Sequence, residues 1–129
     1  MVRKRARLSR SSEFQRIYRQ GDSVASRHLV LHYFKRSADA ADTEPRLGLS
    51  VSRKVGNAVV RNRAKRLLRE AFRAVEPRVA PGHDYVLIAR PSLADLVERQ
   101  QKGEKAIVHQ AVTELFQRAS LLTGEEREQ

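Results

Sequence analysis

The stretch RLGLSVSRKVGNAVVRNRAKRLLREAFRAV, residues 46–75, changes its period part way along. Residues 46–52 (RLGLSVS) alternate apolar with small or polar side chains, the two-residue repeat of a strand. From Ala58 onward, Val60, Ala64, Leu67, Leu68, Ala71 and Val75 return every three or four positions, which is the repeat of one helix face. The turn Lys54-Val55-Gly56-Asn57 joins the two, its asparagine placed to cap the helix, and Glu76-Pro77 ends it. On another side of this helix Arg61, Lys65, Arg69 and Arg73 stand four apart with Arg66 beside them, and Arg53 and Lys54 precede it. Like charges at that spacing repel by roughly a few tenths of a kcal/mol per pair, and Glu70 is the one acid there to relieve them. A solvated face ordinarily mixes signs. This face is therefore read as an anion-binding surface, to which the amides of the helix N-terminus add donors.

The remaining elements are shorter. Ser11 or Ser12 can cap a helix over residues 11–20, where Phe14, Ile17 and Tyr18 share a face and Gly21 provides a stop. After a Gly-Asp-Ser turn, residues 27–34 (RHLVLHYF) read as a strand with apolar groups on both faces: Leu29, Leu31 and Tyr33 on one, His28, Val30, His32 and Phe34 on the other. Residues 37–45 (SADAADTEP) separate it from the 46–52 strand, and the pair reads as a hairpin with a loose loop. A further strand is expected over residues 84–89 (DYVLIA), between the Pro81-Gly82 turn and Pro91. A closing helix is expected over 105–121, with Ile107, Ala111 and Leu115 on one face; residues 92–103 are charged and receive no assignment. The expectation is an α+β fold in one domain spanning 1–129, a small two-layer sandwich of about four mixed strands with three helices. It carries a basic arm at about 1–10 and a frayed tail at about 124–129.

Composition narrows the function. Among 129 residues, 26 Lys+Arg against 15 Asp+Glu leave a formal charge of +11, so the fold repels itself until a polyanion neutralises it. Nucleic acid is the expected partner. No apolar stretch long enough for a membrane span or a signal peptide is present, and the chain is read as cytoplasmic with no membrane partner. The absence of cysteine excludes disulfides and thiolate metal sites. His28, His32, His83 and His109 are scattered without metal-ligand spacing, and no phosphate-binding glycine loop occurs. No catalytic residue and no metal site are nominated; Asp22, Asp84 and the other acids are read as turn, cap or surface groups.

A second candidate surface joins Phe14 and Tyr18 to one face of the 27–34 strand. Aromatic rings on a basic background can stack on single-stranded bases. The same spacing also suits core residues, and periodicity does not separate a filled core from a cleft. The arm residues Arg3, Lys4, Arg5, Arg7 and Arg10 fit equally a solubilising tail and an RNA contact.

Residues 46–69, including the core Arg61-Asn62-Arg63, resemble the signature of the bacterial ribonuclease P protein subunit. Leu8, Phe14, Tyr18 and Gly21, the strand from Arg27 and the run DYVLIAR extend the resemblance over roughly residues 5–120. It implies a four-stranded sheet with a left-handed crossover through the basic helix. It also implies a holoenzyme that removes the 5′ leader of precursor tRNA, leaving a 5′-phosphate, in which the RNA subunit is the catalyst and holds most of the magnesium ions. By the same resemblance the partners are one catalytic RNA per protein and precursor tRNA. Carried over by position, Lys54, Arg61, Asn62, Arg63, Lys65, Arg66 and Arg69 would contact RNA, and Phe14, Tyr18, Val30 and His32 would line the leader cleft; Arg53, Asn57 and Arg73 complete the candidate RNA-binding set, and Arg27 the cleft. His32 stands where an aromatic such as tyrosine is common, and Tyr18 where phenylalanine is frequent. A structural ribosomal protein, a protein-only nuclease and a DNA regulator remain as competing readings of a small basic α+β chain.

Overall fold

The computed structural model describes residues 8, 11–37 and 43–122; most of the basic arm, the centre of the 37–45 loop and the tail lie outside them. The elements in chain order are α1 (Ser11–Gln20), β1 (Asp22–Ala25), β2 (Leu29–Lys35), β3 (Arg46–Ser50), α2 (Ala58–Val75), β4 (His83–Ala89), α3 (Leu93–Gln101) and α4 (Ile107–Arg118). The four strands form one sheet in the order β1-β2-β4-β3. β1 pairs with β2 and β2 with β4 antiparallel, whereas β3 and β4 run parallel.

This topology overturns the hairpin expected between residues 27–34 and 46–52. β4 lies between β2 and β3, and its parallel pairing with β3 requires a crossover, which α2 supplies. Three further expectations change. The Gly-Asp-Ser turn is in part a strand: β1 pairs Asp22 with Tyr33 and Ala25 with Val30, so β2 begins at Leu29 and Arg27 falls in the connecting turn. Residues 92–103 contain a fourth α-helix, α3, which buries Leu93, Leu96 and Val97 at helical spacing. The last helix begins at Ile107 rather than 105 because Ala106 takes a left-handed conformation, φ 58°, and it ends at Arg118, with Ser120 at φ 60°.

α2 follows its sequence pattern closely. Asn57 Oδ1 accepts the Val60 N–H at 3.0 Å, and Ala64, Leu67, Leu68, Ala71, Phe72 and Val75 are buried. These pack with Leu29, Leu31, Leu47, Tyr85 and Leu87 of the sheet and with Val112, Leu115 and Phe116 of α4. Tyr85 stands at the centre, its ring 6.0 Å from Phe72 and 5.1 Å from Phe116, with its hydroxyl donating to the Ala80 carbonyl at 2.7 Å. The opposite sheet face carries a smaller cluster in which Ile17 of α1 packs with Leu8 and Val86, flanked by Phe14, Phe34 and Ile88. The two faces of β2 are thus both apolar, as its alternation predicts.

The second face is also pinned by charge. Asp84 is 2% exposed and receives Arg36 Nη1 at 2.7 Å and Arg46 through Nε and Nη2, both at 2.8 Å. Arg46 continues to Glu13 of α1 at 3.4 Å. Asp84 is therefore a buried bridging carboxylate and not the surface or turn acid expected from its scattered place in the sequence. Burial of a charge is tolerated where partners of opposite sign surround it.

Candidate nucleic-acid interface

The sheet register defines the ground beneath α1. On this face Ser23, His32, Val86 and Gly48 form one row across the four strands, and Ala25, Val30, Ile88 and Ser50 form the next. α1 covers the first row. Phe14 is half-buried, and Tyr18 is 41% exposed with its ring 4.9 Å from His32 and 6.3 Å from Phe14. In the second row Ala25 is exposed while Val30, Ile88 and Ser50 are half-buried. A largely apolar strip therefore lies half open beside an aromatic helix edge. Phe14 is the ring that belongs partly to the core, whereas Tyr18 belongs to the surface. Partial burial raises the Tyr18 phenol pKa and lowers that of the His32 imidazole, both by desolvation, so the neutral form of His32 is favoured.

One long edge of this strip is cationic. Ala25 closes β1 and Ser50 closes β3, so the turn holding Arg27 and the loop holding Arg53 and Lys54 lie at the same end of the sheet. All three side chains are exposed. Arg90, which follows β4 at this end and is also exposed, donates to the Ser26 carbonyl at 3.1 Å; sequence reasoning did not nominate it. Its signal was the position just past an apolar strand. Ser92 ties the same corner together, donating to the Arg27 carbonyl at 2.9 Å while standing 2.9 Å from His28 Nδ1.

The basic helix divides its candidates among different surroundings. Asn62, Arg66 and Arg73 are exposed on its outer face, with Lys65 and Arg69 half-buried at one flank. Arg61 Nε donates to the Gly56 carbonyl at 3.1 Å, so its guanidinium braces the loop as well as presenting charge. Asn57 is exposed but its side-chain oxygen is engaged in the cap. Arg63 turns to the other flank, toward α3, and is separated from Arg61 by the curvature of the helix. Apart from a 3.9 Å approach of Arg66 to Glu70, none of these cations has an acidic partner among the described residues. Also among the described residues, no three His, Asp or Glu side chains gather to hold a metal ion, and no helix is long and apolar enough to cross a membrane.

Fold and surface together define a class: a small basic α+β protein with an unneutralised helix packed on one sheet face and a half-open apolar strip on the other. The family model described as Ribonuclease P matches residues 2–120. A ribonuclease P protein component from an Exiguobacterium strain is 43% identical over 120 residues, covering 93% of this chain and 95% of that one. The component from Symbiobacterium thermophilum is 44% identical over 124 residues, covering 96% and 99%. Among solved structures, the RNase P protein of Staphylococcus aureus superposes with a TM-score of 0.76 at 31% identity over 92% of this chain and 98% of that one. The RNase P protein of Thermotoga maritima gives 0.68 at 30% identity over 94% and 98%. The chain belongs to the ribonuclease P protein family, and through it to an endoribonuclease of tRNA processing.

Proposed function

We propose that this chain binds the catalytic RNA of ribonuclease P through α2 and the loop before it, and holds the 5′ leader of precursor tRNA along the strip beside α1. The observation that carries the reading is the half-open row Ala25, Val30, Ile88 and Ser50, bordered on one side by Tyr18 and on the other by Arg27, Arg53 and Lys54. A single strand offers base faces for Tyr18 and the apolar strip, and phosphates for the cations along its edge. The Arg53–Lys54 loop leads directly into α2, so a leader leaving the strip meets the surface that holds the catalytic RNA. Arginine serves phosphate well because its planar fork donates two parallel bonds.

In this reading the protein contributes binding and position, and the RNA contributes the reaction. Magnesium ions, held mainly by the RNA, would supply the metal-assisted hydrolysis that frees the leader and leaves a 5′-phosphate on the tRNA; no residue of this chain is assigned to hold them. The assembly is one protein per RNA, working in the cytoplasm. The test compares precursor with mature tRNA binding by the reconstituted holoenzyme, using wild-type protein and Tyr18→Ala. Tyr18 is 41% exposed and lies outside the buried Leu8–Ile17–Val86 cluster, so the variant is expected to keep its fold, checked by its unfolding curve; the expected result is loss of about fivefold or more of the preference for precursor, in line with one base-stacking contact. An unchanged preference contradicts the cleft assignment and favours a purely structural RNA-binding protein.

A further inference from the structure

Between the first half of α2 and α3 lies a cavity of about 480 Å³, a volume within the range of sites that admit small organic groups. Its floor is apolar, made by Val55, Val60, Ala94 and Val97, of which Val55 and Val97 are buried. Its mouth is polar: Arg63, Gln101, and Lys102 paired with Glu98 at 3.2 Å. The side chains of Arg63 and Gln101 have no hydrogen-bond or ionic partner among the described residues. Val59, one turn before Arg63 on the same side of α2, is 56% exposed amid the cations.

An apolar slot on a strongly cationic face is an unusual pairing. A free anion has no use for the floor, and an apolar peptide has no use for the rim. An unstacked nucleobase within a polynucleotide uses both. Its faces need apolar walls or a planar cation such as Arg63, its edge needs a group that both donates and accepts, as the Gln101 amide does, and its flanking phosphates need cations. We infer that the α2–α3 cavity receives one unstacked base of the RNA that α2 binds. The inference rests on the reading of α2 as an RNA-binding helix and adds a base-reading site to what is otherwise a phosphate-binding surface.

The experiment uses the full chain with a bacterial ribonuclease P RNA. Ala94→Phe fills the cavity from α3, and Gln101→Ala removes the edge contact from an exposed position that cannot unfold the protein. Affinity is measured across a salt series, together with dimethyl sulfate reactivity of the unpaired adenines and cytosines of the RNA. The expected result is one nucleotide protected by wild-type protein and reactive again with both variants. Affinity falls about tenfold for Ala94→Phe and less for Gln101→Ala, while the salt slope stays at its wild-type value because phosphate contacts are retained. Unchanged affinity and an unchanged reactivity pattern for Gln101→Ala, whether or not Ala94→Phe folds, make the cavity a packing gap and overturn the inference with α2 binding intact. If wild-type binding itself shows no salt dependence, both readings fall together.

Discussion

Gly48 shows how one residue sets the geometry of the strip. It is buried in β3, and a Cβ added there would lie 2.5 Å from Phe14 Cζ and 3.1 Å from Leu8 Cβ. The Phe14 ring therefore rests directly on the strand backbone, and this close approach fixes how low α1 sits over the sheet. Gly21 acts in the same manner: its Cβ would meet the Tyr33 carbonyl oxygen at 2.2 Å, so it is required by close packing where α1 meets β2 and not by the left-handed helix stop that its position suggests. Gly48→Ala is expected to lift Phe14, costing about 1–3 kcal/mol in denaturant unfolding and reducing precursor preference more than affinity for the catalytic RNA; equal loss of both would mean that Phe14 seats the fold alone. On α2, Arg69→Ala should lower the slope of log affinity against log salt by about 0.7–0.9 per phosphate contact removed, measured by titration with the catalytic RNA. Arg61 is the poorer choice for that measurement, since its bond to Gly56 also braces the loop. His32 adds a pH term. Burial lowers its pKa from the usual 6.5, so the fold prefers the neutral ring; that contribution is complete above pH 6.5 and is lost as pH falls through the lowered value. Unfolding monitored between pH 7 and 5 should show this acid-side loss, and His32→Phe should lack its share.

Elements differ in how far they can be read from local pattern. α2 and its Asn57 cap were legible because apolar periodicity, capping and a proline stop agree over eighteen residues. β1 was not, since DSVA has turn composition and becomes a strand through its pairing with β2. The order of β2, β4 and β3 is equally non-local: nothing within residues 27–52 announces that a strand from residues 83–89 will separate them. α3 did carry a signal, with Leu93, Leu96 and Val97 at helical spacing after Pro91, but its charged second half obscures it. The residues of the proposed cleft are legible as types and not as places. Periodicity put Phe14 and Tyr18 together, and only the packing separates the half-buried ring from the exposed one. The start of α4 yields a prediction at this scale. Ala106 holds φ 58°, a conformation that costs a residue with a Cβ about 1 kcal/mol and glycine little. Ala106→Gly should therefore raise stability by up to about 1 kcal/mol in chemical denaturation despite adding a glycine; a loss of stability would contradict the left-handed entry to this helix.

Across the whole molecule, charge and core are arranged against one another. The sheet buries its larger face under α2 and α4 and leaves the smaller one partly open under α1, while a net +11 remains to be neutralised. Within the described residues the strongest internal neutralisation is Asp84 between Arg36 and Arg46, and it reaches α1 through Glu13. That network secures the helix beside the strip, whereas the cations of α2 and the 53–54 loop, apart from the Arg66–Glu70 approach, have no acidic partner among the described residues. Under the proposed function, this surplus charge is what meets RNA, and the sheet and α1 set where that RNA lies. The most direct test is cleavage of a precursor tRNA bearing a 5′ leader, at low magnesium, by this protein alone, by a bacterial ribonuclease P RNA alone, and by the two mixed. The account predicts efficient cleavage at the mature 5′ end from the mixture only. Cleavage by the protein alone, or a mixture no faster than the RNA, would contradict it.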